Sequence, residues 1–290
     1  MLKKLRDIGE LIIYSNIFIS FCLFNQALFT QRVLKAHIPI QIPIVVFLTS
    51  FCGYGYSIVN FKWKSIRSDG SSRQNFIAKY YNLLKIAIIL SGLGILFLFL
   101  LIPFKITLIF VLQAILFYFY GHPFLKWGQK NLSFRNIPGA KNILIGLLWA
   151  VSGFLIPYMS SQNLYFIPLW IRILLFLKYC LLIFIISVLF DFRDRIQDQK
   201  KEIQTLSGIL GEKGTKILGC FIVFIIFTLN TFSAKFLPKA EFWTYQISLI
   251  YLLALILLTN VNRKEYFYMV LIDGVAFIQF PIYLFLSSVL

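Results

Sequence analysis

The amino-acid sequence predicts an all-α fold: a polytopic transmembrane bundle of about nine spans, one domain over residues 1–290, with the N-terminus inside and the C-terminus outside. Three observations predict it. Hydrophobic residues make up 59% of the 290 and charged residues only 13%, with a mean hydropathy of +0.82. A soluble domain of this length needs more polar surface to cover its core. Apolar runs near the roughly 20 residues that carry a helix across a bilayer recur along the chain. The basic residues also alternate between crowded and sparse loops.

The first run, 11–30, follows the basic start MLKKLRDIGE. Such a flank precedes signal peptides too, but the run is long and no small-x-small cleavage site follows, so it reads as the first span. Further runs lie at 38–58, 81–101, 104–121, 142–159, 168–190, 216–234, 243–260 and 267–288. The third and fourth are separated by little more than Pro103, which makes eight the alternative count.

With the N-terminus in the cytoplasm, Lys3, Lys4 and Arg6 lie inside. So do Lys62, Lys64, Arg67, Arg73 and Lys79, then Lys126, Lys130, Arg135 and Lys141. Arg193, Arg195, Lys200, Lys201, Lys213, Lys216, Arg263 and Lys264 complete the inner set. Only Arg32, Lys35, Lys105, Lys235 and Lys239 fall outside. This asymmetry sets the topology. The net charge of +17 is accordingly a topology signal and a contact for anionic lipid, not a nucleic-acid footprint.

Two inner loops are long, 60–80 and 191–215, and are expected to cap the polar mouth of the bundle. The second begins DFRDRIQDQKK. On a helix continuing out of the sixth span, Asp191, Asp194 and Asp198 stand at i, i+3 and i+7 and share a face. Like charges so close repel. A divalent cation such as Mg²⁺ relieves that and can bridge to substrate phosphates. The alternative is a solvated helix end balanced by Arg193, Arg195, Lys200 and Lys201. Downstream, Ile203, Leu206, Ile209 and Leu210 recur at helical spacing, punctuated by Gly208 and Gly211, as in a short amphipathic helix over the mouth.

The segment DFRDRIQDQKKEIQTLSGILG resembles the second aspartate-rich motif of the UbiA superfamily of intramembrane prenyltransferases. Asp191, Asp194, Asp198, Ile203, Thr205, Leu206 and Gly211 fall in register, and Glu202 stands where a glycine is usual. The stretch FYGHPFLKWGQKNLSFRNIPGAKN is similar to that family's tyrosine–lysine loop, with Tyr120, Lys126 and Lys141 at the positions that face a diphosphate.

The resemblance implies a bundle whose cavity opens at the cytoplasmic side, with the three aspartates catalytic and holding Mg²⁺ at its polar end. It implies as partners a prenyl diphosphate and a lipophilic acceptor, besides the bilayer, and no nucleic acid. Asn60, Tyr120, Lys126, Arg135, Lys141, Arg195 and Lys200 are then the substrate-binding set. One departure stands out. The family's first motif, N-x-x-x-D-x-x-x-D, is reduced to Asn60, with Asp69 as the loop's sole carboxylate. Half of the usual metal cradle is missing, so Mg²⁺ should bind more weakly and the allylic diphosphate should ionise less readily. Lys62, Lys64 and Arg67 stand in that stretch as candidate phosphate contacts.

Other polar residues fall within or beside the runs: Asn16, Asn25, Gln26, Lys85, Lys178 and Asp273. Such groups face a bundle interior, and the amides suit interhelical bonding. Asp273 is expected to be buried and either to pair with Lys85, which depth along the spans selects over Lys178 if the two helices are neighbours, or to face the polar mouth of the cavity. The four cysteines are scattered singly, with no CxxC pair, and read as small hydrophobes. Neither His37 nor His122 has a ligand-spaced partner. Three functions remain in contention: prenyl transfer, an isoprenoid- or partner-binding protein of the same fold without the reaction, and transport. The concentration of polar residues at one face weighs against transport.

Overall fold

The computed structural model describes residues 2–36, 39–60, 72–122, 125–127, 130–132, 134, 137–161, 167–200 and 204–290. Each apolar run falls on a helix or on a pair of helices. In chain order these are α1 (Leu2–Tyr14), α2 (Ile17–Val33), α3 (Gln41–Asn60), α4 (Ser72–Phe99) and α5 (Phe104–Gly121). They continue as α6 (Ala140–Ala150), α7 (Ile156–Ser160), α8 (Leu169–Lys200), α9 (Leu206–Ser233), α10 (Lys239–Leu258) and α11 (Asp273–Val289). A hairpin of two three-residue strands, β1 (Leu125–Trp127) and β2 (Lys130–Leu132), separates α5 from α6.

Among the described residues, six helical segments are long and apolar enough to cross a membrane, and the bent pair α1–α2 makes a seventh. Gln41–Tyr56 and Phe104–Tyr120 are apolar but shorter. The first run is divided because Asn16 adopts a left-handed backbone, φ 69°, and α1 turns 64° from α2 there. A π-turn at Val151–Leu155 joins α6 to α7, and a second at Phe267–Ile272 leads into α11.

Helices α2, α6–α7, α8, α9, α10 and α11 close a ring, each packed on its neighbours, with α2 meeting both α11 and the α6–α7 turn. The main core fills this ring with residues such as Cys22, Ile156, Leu182, Ile185, Leu252 and Val275. α3 packs on α2, and α4 lies outside it on α3. That position explains why α4 buries only Phe76, Ile77 and Leu84 while most of its apolar side chains face outward, as in a lipid-exposed helix.

Two features of the ring position the candidate site. At about 1.5 Å per residue, the 32 residues of α8 exceed the ~30 Å hydrocarbon layer. The helix is therefore longer than one crossing needs, so part of it extends beyond the layer while still helical. Most of the stretch 191–215 is accordingly helix: α8 runs to Lys200, and α9 begins at Leu206, capped by Thr205, whose Oγ1 accepts from Gly208 N at 3.2 Å. α9 then breaks at Gly211, φ 67°.

The second feature is the close approach of α6 to α8. A Cβ at Gly146 would lie 2.7 Å from the Cys180 carbonyl oxygen, and a backbone oxygen in a helix cannot swing aside. Gly146→Ala should therefore pry the two helices apart and destabilise the bundle by about 1–3 kcal/mol, the usual cost of overpacking. Thermal unfolding in detergent checks this, and an unchanged midpoint would mean that the helices are less closely apposed.

Candidate functional site

The N-terminus of α6 meets the C-terminal part of α8 at Ser187 and Asp191. Gly139, in a positive-φ conformation (79°), turns the chain into α6, so that Lys141 and Asn142 face α8. Lys141 Nζ forms an ion pair with Asp191 Oδ1. Asn142 Nδ2 donates to Asp191 Oδ2 at 2.9 Å and to Ser187 Oγ at 3.0 Å. The Asp191 side chain is 3% exposed and that of Lys141 16%. Asp198 is also buried and interacts electrostatically with both Lys141 and Asp191, and Tyr120, at the end of α5, interacts with Lys141. Of the expected site residues, the structure thus brings together Asp191, Asp198, Lys141 and Tyr120.

Asp194 does not join them. Arg193 holds its two carboxylate oxygens through Nε at 2.7 Å and Nη2 at 2.8 Å, while the Arg193 guanidinium stands 4.8 Å from the Phe190 ring centroid and 5.9 Å from that of Tyr268. Arg195 is partly buried on the same turn. The backbones of Asn60, Lys126 and Lys200 lie in α3, β1 and α8, but their side chains are outside the described residues. Arg135 lies wholly outside them, as do Lys62, Lys64, Arg67 and Asp69.

The carboxylates therefore do not present the shared, cation-hungry face expected of them. Asp191 is bonded by an ammonium and an amide, and Asp194 by a guanidinium. Among the described residues, no three His, Cys, Asp or Glu side chains come close enough to hold a metal ion. A resident magnesium does not fit this donor set: the first motif's acids are absent, and two of the second motif's three carboxylates already have cationic partners. A narrow cavity is bordered by Gln26, Phe29, Tyr179, Glu241 and Tyr245, not by the aspartates.

Asp273 is buried as expected, but its partner is not Lys85. Arg193 and Arg73 carry its electrostatic interactions, and Arg73 Nη2 also donates to Asn16 Oδ1 at 2.9 Å. Lys85 is exposed on α4, outside the ring. Depth along a span does not say which way a side chain points.

The sequence reading also missed a fully buried ion pair. Lys178 Nζ donates to Glu241 Oε1 at 2.7 Å, Asn230 Oδ1 at 2.8 Å and Ser233 Oγ at 3.2 Å, tying α8, α9 and α10 together. Both charged side chains are 0% exposed. An ammonium has three donors, and here all three are used. Glu241 sits two residues before the apolar run and so read as loop. The available signal was a lone lysine inside a span, which requires a partner.

No family model and no curated protein sequence matches the chain. Solved structures do. Over 95% of this chain and 98% of the other, it superposes on a UbiA homologue from Aeropyrum pernix K1 with a TM-score of 0.68 at 12% identity. A UbiA homologue from Archaeoglobus fulgidus bound to GPP and Mg²⁺ gives 0.64 at 11% identity, covering 96% and 99%. A digeranylgeranylglyceryl phosphate synthase gives 0.54 at 21% identity, covering 99% and 98%. The chain has the UbiA fold along almost its whole length.

Lys178→Met should leave Glu241 buried without its counter-charge and destabilise the protein by about 3–5 kcal/mol. The double variant Lys178→Met/Glu241→Gln should recover part of that loss. Thermal melts of the two singles and the double in detergent decide it. Strict additivity would mean that the pair is not coupled.

Proposed function

We propose that this chain is a multi-pass membrane protein that binds a prenyl diphosphate where α6 and α8 meet and passes the isoprenyl group to a lipophilic acceptor. One observation carries the reading. On a bundle with the UbiA fold, Asp191 is paired with Lys141, residues that the sequence likeness marks in the aspartate motif and in the tyrosine–lysine loop. In the sequence the basic residues concentrate in the loops that we place at the cytoplasmic face. The count of nine spans includes the bent α1–α2 pair and the two shorter apolar helices.

In this reading Lys141, with Lys126, Arg135, Arg195 and Lys200, meets the phosphate oxygens, and Tyr120 and Asn60 contribute neutral hydrogen bonds. Charge-assisted hydrogen bonds from fixed donors take up the negative charge that grows on the leaving diphosphate. The bond between the allylic carbon and oxygen breaks, and its electron pair leaves with the diphosphate. The acceptor's nucleophilic atom bonds to the freed carbon and gives up its proton. Magnesium is the cation that the carboxylate spacing suggests, and the A. fulgidus homologue holds it. Since the donors found here do not fit it, no step is assigned to it.

A second reading keeps the binding and drops the transfer. The absence of the first motif's acids favours it, because those acids stand opposite the diphosphate in the family pattern. Purified protein with geranyl, farnesyl and geranylgeranyl diphosphates separates the two. Transfer predicts saturable binding and release of diphosphate once a lipophilic acceptor is added. Binding without release selects the second reading, and absence of binding to every diphosphate refutes both.

A further inference from the structure

We infer that Lys141 takes the place of a divalent metal at this site, so that the diphosphate is recognised without magnesium. The inference rests on the proposed binding of a prenyl diphosphate. It starts from what a metal does beside an aspartate motif: it cancels the mutual repulsion of the carboxylates and offers positive charge to the phosphate. The Lys141 ammonium is already placed for both tasks. It is paired with Asp191 Oδ1 and interacts electrostatically with Asp198 as well. Among the described residues, Lys141 thus interacts with both of the site's buried acids.

The pair is also shaped to accept an anion. Asn142, itself fully buried, holds the other Asp191 oxygen and is braced by Ser187, so the carboxylate is fixed. Lys141 is the more exposed member, 16% against 3%, and its ammonium has three donors, of which Asp191 Oδ1 takes one. A phosphate oxygen can therefore join the ammonium without displacing Asp191. Meanwhile Arg193 engages both oxygens of Asp194. The chain also carries Lys126, Lys130 and Arg135 on the loop leading to Lys141, and their charges need no metal to attract a diphosphate.

Titration of purified protein with inorganic pyrophosphate and with geranyl diphosphate, in EDTA and in excess Mg²⁺, tests this. The affinities should agree within about twofold between the two buffers. Lys141→Met should weaken binding tenfold or more in EDTA, as expected for loss of a charge-assisted bond. Lys141→Arg should retain most of the affinity, and a thermal melt of each variant confirms folding. Asp191→Asn is the sharpest discriminator. If Asp191 is a metal ligand, this variant loses Mg²⁺-dependent binding; if it only anchors Lys141, binding in EDTA is kept or strengthened. Binding that requires Mg²⁺, or a folded Lys141→Met that binds as tightly as the parent, overturns the inference and leaves the proposed function standing. No binding in either buffer overturns the proposed function itself.

Discussion

A peptide group carried into hydrocarbon finds no water to bond, so its N–H and C=O must be satisfied within the segment. From that constraint follow the long helices, the ring they form and the treatment of every polar side chain inside it. Many hydroxyl groups turn back onto their own helices. Along α10, Thr244 Oγ1 donates to the Ala240 carbonyl at 2.7 Å, and Ser248 Oγ to the Thr244 carbonyl at 2.8 Å. Charged groups cannot be satisfied so locally and reach across helices: Lys178 from α8 to α10, Lys141 from α6 to α8. Alongside close packing such as that at Gly146, these polar cross-links help to specify which helices are neighbours.

The same constraint explains what could be read in the sequence. Helix positions were legible because spanning requires long apolar runs, and each run found its helix. The Asp191–Lys141 association was half legible. Both residues stood out from the spacing of the aspartates and the likeness to the tyrosine–lysine loop, but that they bond to each other depends on the Gly146 contact that brings α6 onto α8. The bend at Asn16 depends on one residue's backbone conformation, which hydropathy does not encode.

The partner of Asp273 is the more instructive case. Counting residues from the start of a span measures depth, and at the depth of Asp273 the nearest lysine was Lys85. Depth leaves the direction of a side chain about the helix axis undetermined, and it says nothing of which helix lies on the outside. α4 proved to be that outer helix, so Lys85 is exposed, and Arg73 at the start of the same helix interacts with Asp273 instead. Glu241 was missed for a complementary reason. Its carboxylate lies just outside an apolar run, where charges usually meet solvent, but the folded chain closes over it.

Two lysine–carboxylate pairs thus occupy one bundle, and their surroundings give them different work. At Lys178 the ammonium's three donors are engaged, by a carboxylate, an amide and a hydroxyl, and neither partner meets solvent. Any further ligand would have to break one of those bonds in a low-dielectric interior, where an unpaired charge is strongly unfavourable. Such a pair can hold helices in register and do little else. At Lys141 the carboxylate is fixed from behind by Asn142 while the ammonium remains partly exposed, so an incoming anion adds to its coordination without uncovering Asp191. Identical charges in similar pairings are therefore structural in one place and suited to binding in the other. The difference lies in how many donors the neighbours consume and on which partner the opening falls.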